Sequence, residues 1–243
     1  MDELVRAESR LNKGTLVMNA VARQLISFAV RAPSGHNTQP WQFSVEQDTI
    51  RIYPDLSRRL PVVDPDNHAL FISLGCALEN LVVAASQHGL AASVDYFPSD
   101  EPQECLRVRL SAGADAGEDT GVLFRAIPER QSNRGTYDGR AIVASDLARI
   151  LAASRRDALE VRAFNVGDPD VEPMIRFVRE GNIAQFNDPA FIAELVSWIR
   201  FSRGVEEGRA QEHHQIEQPG RHPSLEGSPP LYPNGCPPSS WAM

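Results

Sequence analysis

Apolar side chains fall at helical spacing early in the chain, where Val17, Val21, Leu25 and Phe28 line one face of a helix predicted over about 15–31. The period then shortens. Trp41, Phe43 and Val45 alternate with polar neighbours at strand spacing, and the pattern resumes after the charged connection Glu46-Gln47-Asp48. Gln42 to Val45 and Thr49 to Tyr53 are therefore expected to form a hairpin. The prolines in Arg58-Arg59-Leu60-Pro61-Val62-Val63-Asp64-Pro65 make that stretch an extended linker, because a residue before proline avoids the helical region. A long helix follows over about 66–88, started by Asp64, Asp66 and Asn67 and ended at Gly89. Ala69, Ile72, Cys76, Leu78, Leu81, Val82 and Ala85 leave it so little polar surface that it belongs in the centre of a fold or at a subunit contact.

Two strands come next, with Ala92, Val94 and Tyr96 alternating in one and Leu106, Val108 and Leu110 in the other. The acidic, glycine-rich stretch Gly113 to Gly121 separates this half from a second. The second half is predicted to hold a short helix ending near Pro128, a helix over Asp146 to Ala153 and a strand on Leu159, Val161 and Ala163. Helices near 170–186 and 189–201 complete it, with Phe191, Leu195, Val196 and Ile199 as the inner stripe of the last. Beyond Gly204 the periodicity ends, and seven of the 18 prolines lie between Pro219 and Pro238, so 203–243 reads as an irregular tail, loop or disorder.

Composition narrows the function. At 243 residues and 42% hydrophobic content the chain can bury a full core, as one domain or two closely fused halves. A formal charge of -8 argues against nucleic acid and anionic membrane as partners. No stretch reads as the roughly 20 apolar residues that span a bilayer, and Met1-Asp2-Glu3-Leu4 opens without a signal-type apolar region. Cys76, Cys105 and Cys236 are too few and too scattered for a disulfide framework or a zinc site, which points to a reducing cytoplasm. Lys13 is the only lysine among 24 basic residues, so an anion site here is built from guanidinium groups, which grip phosphate in a two-pronged way.

The chemistry concentrates in two turns. Arg31-Ala32-Pro33-Ser34-Gly35-His36-Asn37-Thr38-Gln39-Pro40-Trp41 packs hydrogen-bonding groups between the first helix and the first strand, and its two prolines stiffen it. Such a turn suits the polar edge of a flat heterocycle and loses little entropy when a ligand arrives. The second, Arg130-Gln131-Ser132-Asn133-Arg134, spaces two guanidinium groups around one hydroxyl. Two cations and a hydroxyl donor are what capture of a phosphate dianion requires.

The run Ala-Pro-Ser-Gly-x-Asn-x-Gln-Pro-Trp at 32–41, with its flanking helix and strand, resembles the FMN-contacting turn of the nitroreductase family. Leu74-Gly75-Cys76-Ala77-Leu78-Glu79-Asn80-Leu81 is similar to that family's buried helix, and Arg-x-Ser-x-Arg to its phosphate turn. In the usual homodimer the two turns that meet one FMN come from different subunits, and the phosphate turn precedes the ring turn. Here the ring turn comes first and the phosphate turn opens a second half. That order resembles the Acg-type branch, in which two nitroreductase-like halves share one chain as a pseudo-dimer. The resemblance covers roughly 15–201 and is strongest at 31–45, 59–85 and 125–140.

The resemblance implies an α+β nitroreductase-like fold, a mixed central sheet flanked by helices, with halves of about 1–112 and 122–202 in a domain over 1–202. It implies that Pro33, Ser34, Gly35 and Asn37 face the isoalloxazine with Gln39 close behind, while Arg31 adds charge on the phosphate side. Arg130, Gln131, Ser132 and Arg134 would hold the phosphate and ribityl chain. It further implies an FMN-dependent, cytoplasmic oxidoreductase, a monomeric pseudo-dimer or a homodimer. In two half-reactions NAD(P)H would reduce the flavin and a nitroaromatic or quinone would reoxidise it, with no protein acid or base needed. An alternative is a flavin-binding protein that sequesters FMN without turnover, and another is a remnant that binds nothing.

Two departures accompany it. Arg203, Arg209 and Arg221 do not reproduce the family's basic C-terminal segment, and the pattern breaks after Trp198-Ile199-Arg200-Phe201-Ser202, which suggests truncation or a change of reading frame. Other chemistry finds little footing. There is no Gly-x-Ser-x-Gly elbow for Ser34 and His36, and His213, His214, Glu212 and Cys236 fit no ligand spacing. Cys76 reads as a structural cysteine on an apolar helix face, and no Gly-x-Gly-x-x-Gly follows a strand, so any nicotinamide would bind transiently.

Overall fold

A computed structural model describes residues 18–101, 103–113, 118–132, 135–154 and 160–199. They fall into two compact units, one holding residues up to Gln131 with 198–199 and the other Ser132–Ser197.

In the first unit helix α1 spans 18–29 and strands β1 (Trp41–Glu46) and β2 (Thr49–Pro54) form the expected hairpin. Helix α2 (His68–Gln87), strands β3 (Leu90–Tyr96) and β4 (Leu106–Ala112) and helix α3 (Glu118–Glu129) follow. The strands lie in the order β1-β2-β4-β3, and every described pairing is antiparallel. This corrects the expected mixed sheet. A two-residue turn joins β1 to β2 and a longer loop over 97–105 joins β3 to β4, while α2 carries the chain across to the far edge, leaving β4 to close against β2. The register sets Ile50 opposite Val108 and Ile52 opposite Leu106, both pairs buried.

The core forms where one face of this sheet meets α1 and α2. Ala22, Leu25, Ile26 and Ala29 supply the α1 stripe, and Leu70, Leu74, Leu78 and Leu81 that of α2. Each such leucine stabilises the fold by about 1.5–3 kcal/mol through the apolar surface it removes from water. Alternation in β4 puts Leu106, Val108 and Leu110 inside and leaves Arg107 and Arg109 on the other face, where Arg109 pairs with Asp95 at 2.6 Å. By length and composition alone α2 could cross a membrane, contrary to the sequence reading, and its buried leucines give its apolarity a use inside the core. Asp64 starts this helix by accepting hydrogen bonds from the amides of Ala69 and Leu70, both at 3.0 Å.

The second unit contains α4 (Ala144–Ala153), α5 (Val171–Phe186) and α6 (Pro189–Trp198). No strand occurs among its described residues. Val161 and Ala163 are exposed in irregular chain, and Leu159 lies outside the described residues. Alternation had predicted a strand there, but alternation makes a strand only where a neighbouring strand takes up its backbone groups. In α6 Phe191 is buried against Phe186 (ring centroids 5.6 Å apart), while Val196 and Ile199 are exposed, which corrects the inner stripe. The described residues of the second unit do not test the expected pseudo-dimer of two like halves, and the tail after Gly204, with Arg209, Arg221 and Cys236, lies outside the described residues.

Candidate functional site

The turn between α1 and β1 is built by close approach and left-handed backbone. At its start the Asn80 side-chain amide donates to the Phe28 carbonyl at 3.2 Å, tying α2 to the end of α1. Ala32 and Pro40 anchor the turn in the core, while Arg31, Pro33 and Asn37 face solvent. Ser34 is extended, and its hydroxyl oxygen accepts a hydrogen bond from the Gln39 amide at 3.0 Å, closing the loop. A Cβ on Gly35 would lie 3.1 Å from Leu60 Cδ1, so the chain passes too near the β2–α2 segment for a side chain without displacement.

His36 (φ 46°), Asn37 (φ 56°) and Gln39 (φ 53°) all occupy the left-handed region. That conformation costs an ordinary residue of order 1–3 kcal/mol and persists where the surroundings over-determine it, typically at binding sites. Here the surroundings include Arg58. Its Nη1 donates to the Thr38 carbonyl at 2.9 Å, and its Nε lies 3.3 Å from the Asp55 carboxylate. The Asp55 amide in turn donates to the Pro40 carbonyl at 3.0 Å.

Arg130 reaches this turn from the end of α3. Phe124 packs on Phe28 with ring centroids 4.6 Å apart and Ile127 is buried, which fixes the helix against α1. Arg130 Nη2 then donates to the Arg31 carbonyl at 3.3 Å across 99 positions of sequence. Cys76 lies close enough to feel it: burial pushes the Cys76 thiol up and the Arg130 guanidinium pulls it back.

The structure thus brings Arg130 to the turn that carries Arg31, Pro33, Ser34, Gly35, Asn37 and Gln39, with exposed Gln131 next in the chain. Ser132 is exposed at the start of the second unit, and Arg134 lies outside the described residues. Sequence reasoning assigns no site role to Arg58 or Asn80, and weighs His36 only as a hydrolase partner of Ser34. Arg58 sat in a stretch taken as linker, and only its position three residues after Asp55 hinted at a turn. Among the described residues no group of three or more histidine, cysteine, aspartate or glutamate side chains could hold a metal ion.

The turn's amides at Asn37, Thr38 and Gln39 are bonded within it, which leaves the exposed Asn37 side chain and the exposed Arg31 and Arg130 guanidinium groups as the polar groups it offers to a ligand.

No protein-family model matches the chain. It is 29% identical over 193 residues to a protein named "Putative NAD(P)H nitroreductase" from Mycobacterium tuberculosis, an alignment covering 76% of this chain and 55% of the relative. It is 33% identical over 121 residues to "Putative NAD(P)H nitroreductase acg" of the same organism, covering 49% of this chain and 37% of the relative. A solved nitroreductase family protein from Streptococcus pneumoniae aligns over 59% of this chain and 89% of its own, at 15% identity and a TM-score of 0.30, too low to bear on the fold. The chain spans about half the length of the curated relatives it matches.

Proposed function

We propose that this chain, a homologue of proteins named NAD(P)H nitroreductase, Acg among them, holds FMN in the turn 31–41 and is an NAD(P)H-dependent oxidoreductase of small molecules. The observation that carries the reading is the Arg130–Arg31 hydrogen bond, which brings a cation from the second sequence turn to the first. FMN held there would supply the redox chemistry between NAD(P)H and an acceptor of the nitroaromatic or quinone type.

The protein's own part is to bind and orient. The left-handed turn, closed by the Ser34–Gln39 bond and braced by Arg58, presents the Asn37 side chain to the polar ring edge with little entropy left to lose. Arg130 and Arg31 supply the positive charge for the phosphate, with Gln131 next in the chain. Pro33 stiffens the turn, Gly35 lets it pass close to Leu60, and Gln39 closes it through the Ser34 hydroxyl.

The test is to load the purified protein with FMN, remove the excess and add NADPH without oxygen. Bleaching of the flavin bands, reversed by a nitroaromatic or a quinone, is the expected result. Bound flavin that NADPH leaves oxidised would assign the chain to FMN sequestration and overturn the enzyme reading.

A further inference from the structure

We infer that the imidazole of His36 is a ligand-binding group, whose Nε2–H donates a hydrogen bond to an acceptor on the edge of the ring held in the turn. The inference rests on the function proposed above. Within the turn the polar groups around His36 have partners: the Asn37 amide donates to the Ser34 carbonyl at 3.0 Å, and the Thr38 amide to the Gly35 carbonyl at 2.9 Å. The Gln39 amide is held by the Ser34 hydroxyl and the Thr38 carbonyl by Arg58. His36 Nε2, by contrast, is buried and has no hydrogen-bond partner.

A buried polar atom without a partner costs free energy that an apolar ring of the same shape would not. The same residue sits at φ 46°, ψ 20°, an uncommon backbone for a residue other than glycine, although histidine enters it more readily than most. Both features therefore coincide on one residue, inside the one turn whose backbone is left-handed at three positions. The unpaired nitrogen does not stabilise the ligand-free chain, and it is accounted for if the imidazole swings outward to meet a ligand as it seats. Binding then exchanges an unpaired nitrogen for a paired one, and a planar heterocycle with acceptors on its rim is the class of ligand that offers that partner.

The test titrates FMN into the unsubstituted chain and into His36→Phe and His36→Gln, and follows the imidazole nitrogens by NMR with and without FMN. The expected result is a loss of roughly tenfold in affinity for His36→Phe, the scale of one hydrogen bond, with most of it restored in His36→Gln, which keeps an N–H donor. The Nε2 resonance of His36 should move on FMN addition. Equal affinity in His36→Phe, a His36→Gln as weak as His36→Phe, or an unmoved resonance would each overturn the inference while leaving FMN binding intact. Should His36→Phe fail to fold, the resonance decides alone. An unsubstituted chain that binds no FMN overturns the proposed function and this inference with it.

Discussion

Arg58 holds the Thr38 carbonyl at 2.9 Å, so a residue that follows the second strand braces the turn that precedes the first. Thr38 is itself buried, between left-handed Asn37 and Gln39, and its carbonyl is where the turn would otherwise relax. Arg58→Ala should therefore cost about 1 kcal/mol of stability, allowing for its partial exposure, and weaken FMN binding several-fold through lost preorganisation. Chemical denaturation and FMN titration read the two effects. Unchanged values of both would remove Arg58 from the turn's support.

Arg130→Ala acts on charge. Loss of a charged hydrogen bond worth about 1.5–3 kcal/mol should weaken FMN binding at least tenfold, with little change in the unfolding midpoint because the side chain is exposed. Arg130→Lys should recover part of the affinity, since it keeps the charge and loses the fork. Affinity unaffected by either change would exclude Arg130 from the site.

Glu104 is a fully buried carboxylate, gripped by Arg107 through Nη2 at 2.6 Å and Nε at 3.0 Å, with Arg51 Nε 3.6 Å away. Removing one partner strands a charge, so Arg107→Ala should cost about 3–5 kcal/mol in denaturant unfolding. A loss near zero would mean that water reaches Glu104.

Burial pushes the Cys105 thiol up to about 12 from the ordinary 9.0. In the unfolded chain the thiol ionises first, so the unfolded state binds fewer protons between those values and stability falls as pH rises through that window. Below about pH 9 the contribution is fully present. Cys105→Ala should flatten this alkaline slope. Without denaturant Cys105 should resist thiol reagents, and half-buried Cys76 should react slowly.

Much of the first unit was legible because its signals are local. Periodicity places α1, both hairpin strands and α2 within a few residues, and the Pro33-to-Pro40 motif marks the turn. What was hidden depends on residues distant in sequence. The β2–β4 pairing, the brace from Arg58 and the burial of Glu104 arise only when separated segments meet. The expected strand near Val161 failed for the same reason, since its alternation found no neighbour. Arg130 was singled out by its motif, but its approach to Arg31 follows from how Phe124 seats α3 on Phe28.

The central claim is that the turn 31–41 together with Arg130 binds FMN. Its most direct test is the visible absorption spectrum of the purified chain after incubation with FMN and removal of the excess. Flavin bands near one equivalent per chain, lost in Arg130→Ala at the same concentration, are the predicted result. A colourless protein, or flavin retained equally by that variant, would contradict the account.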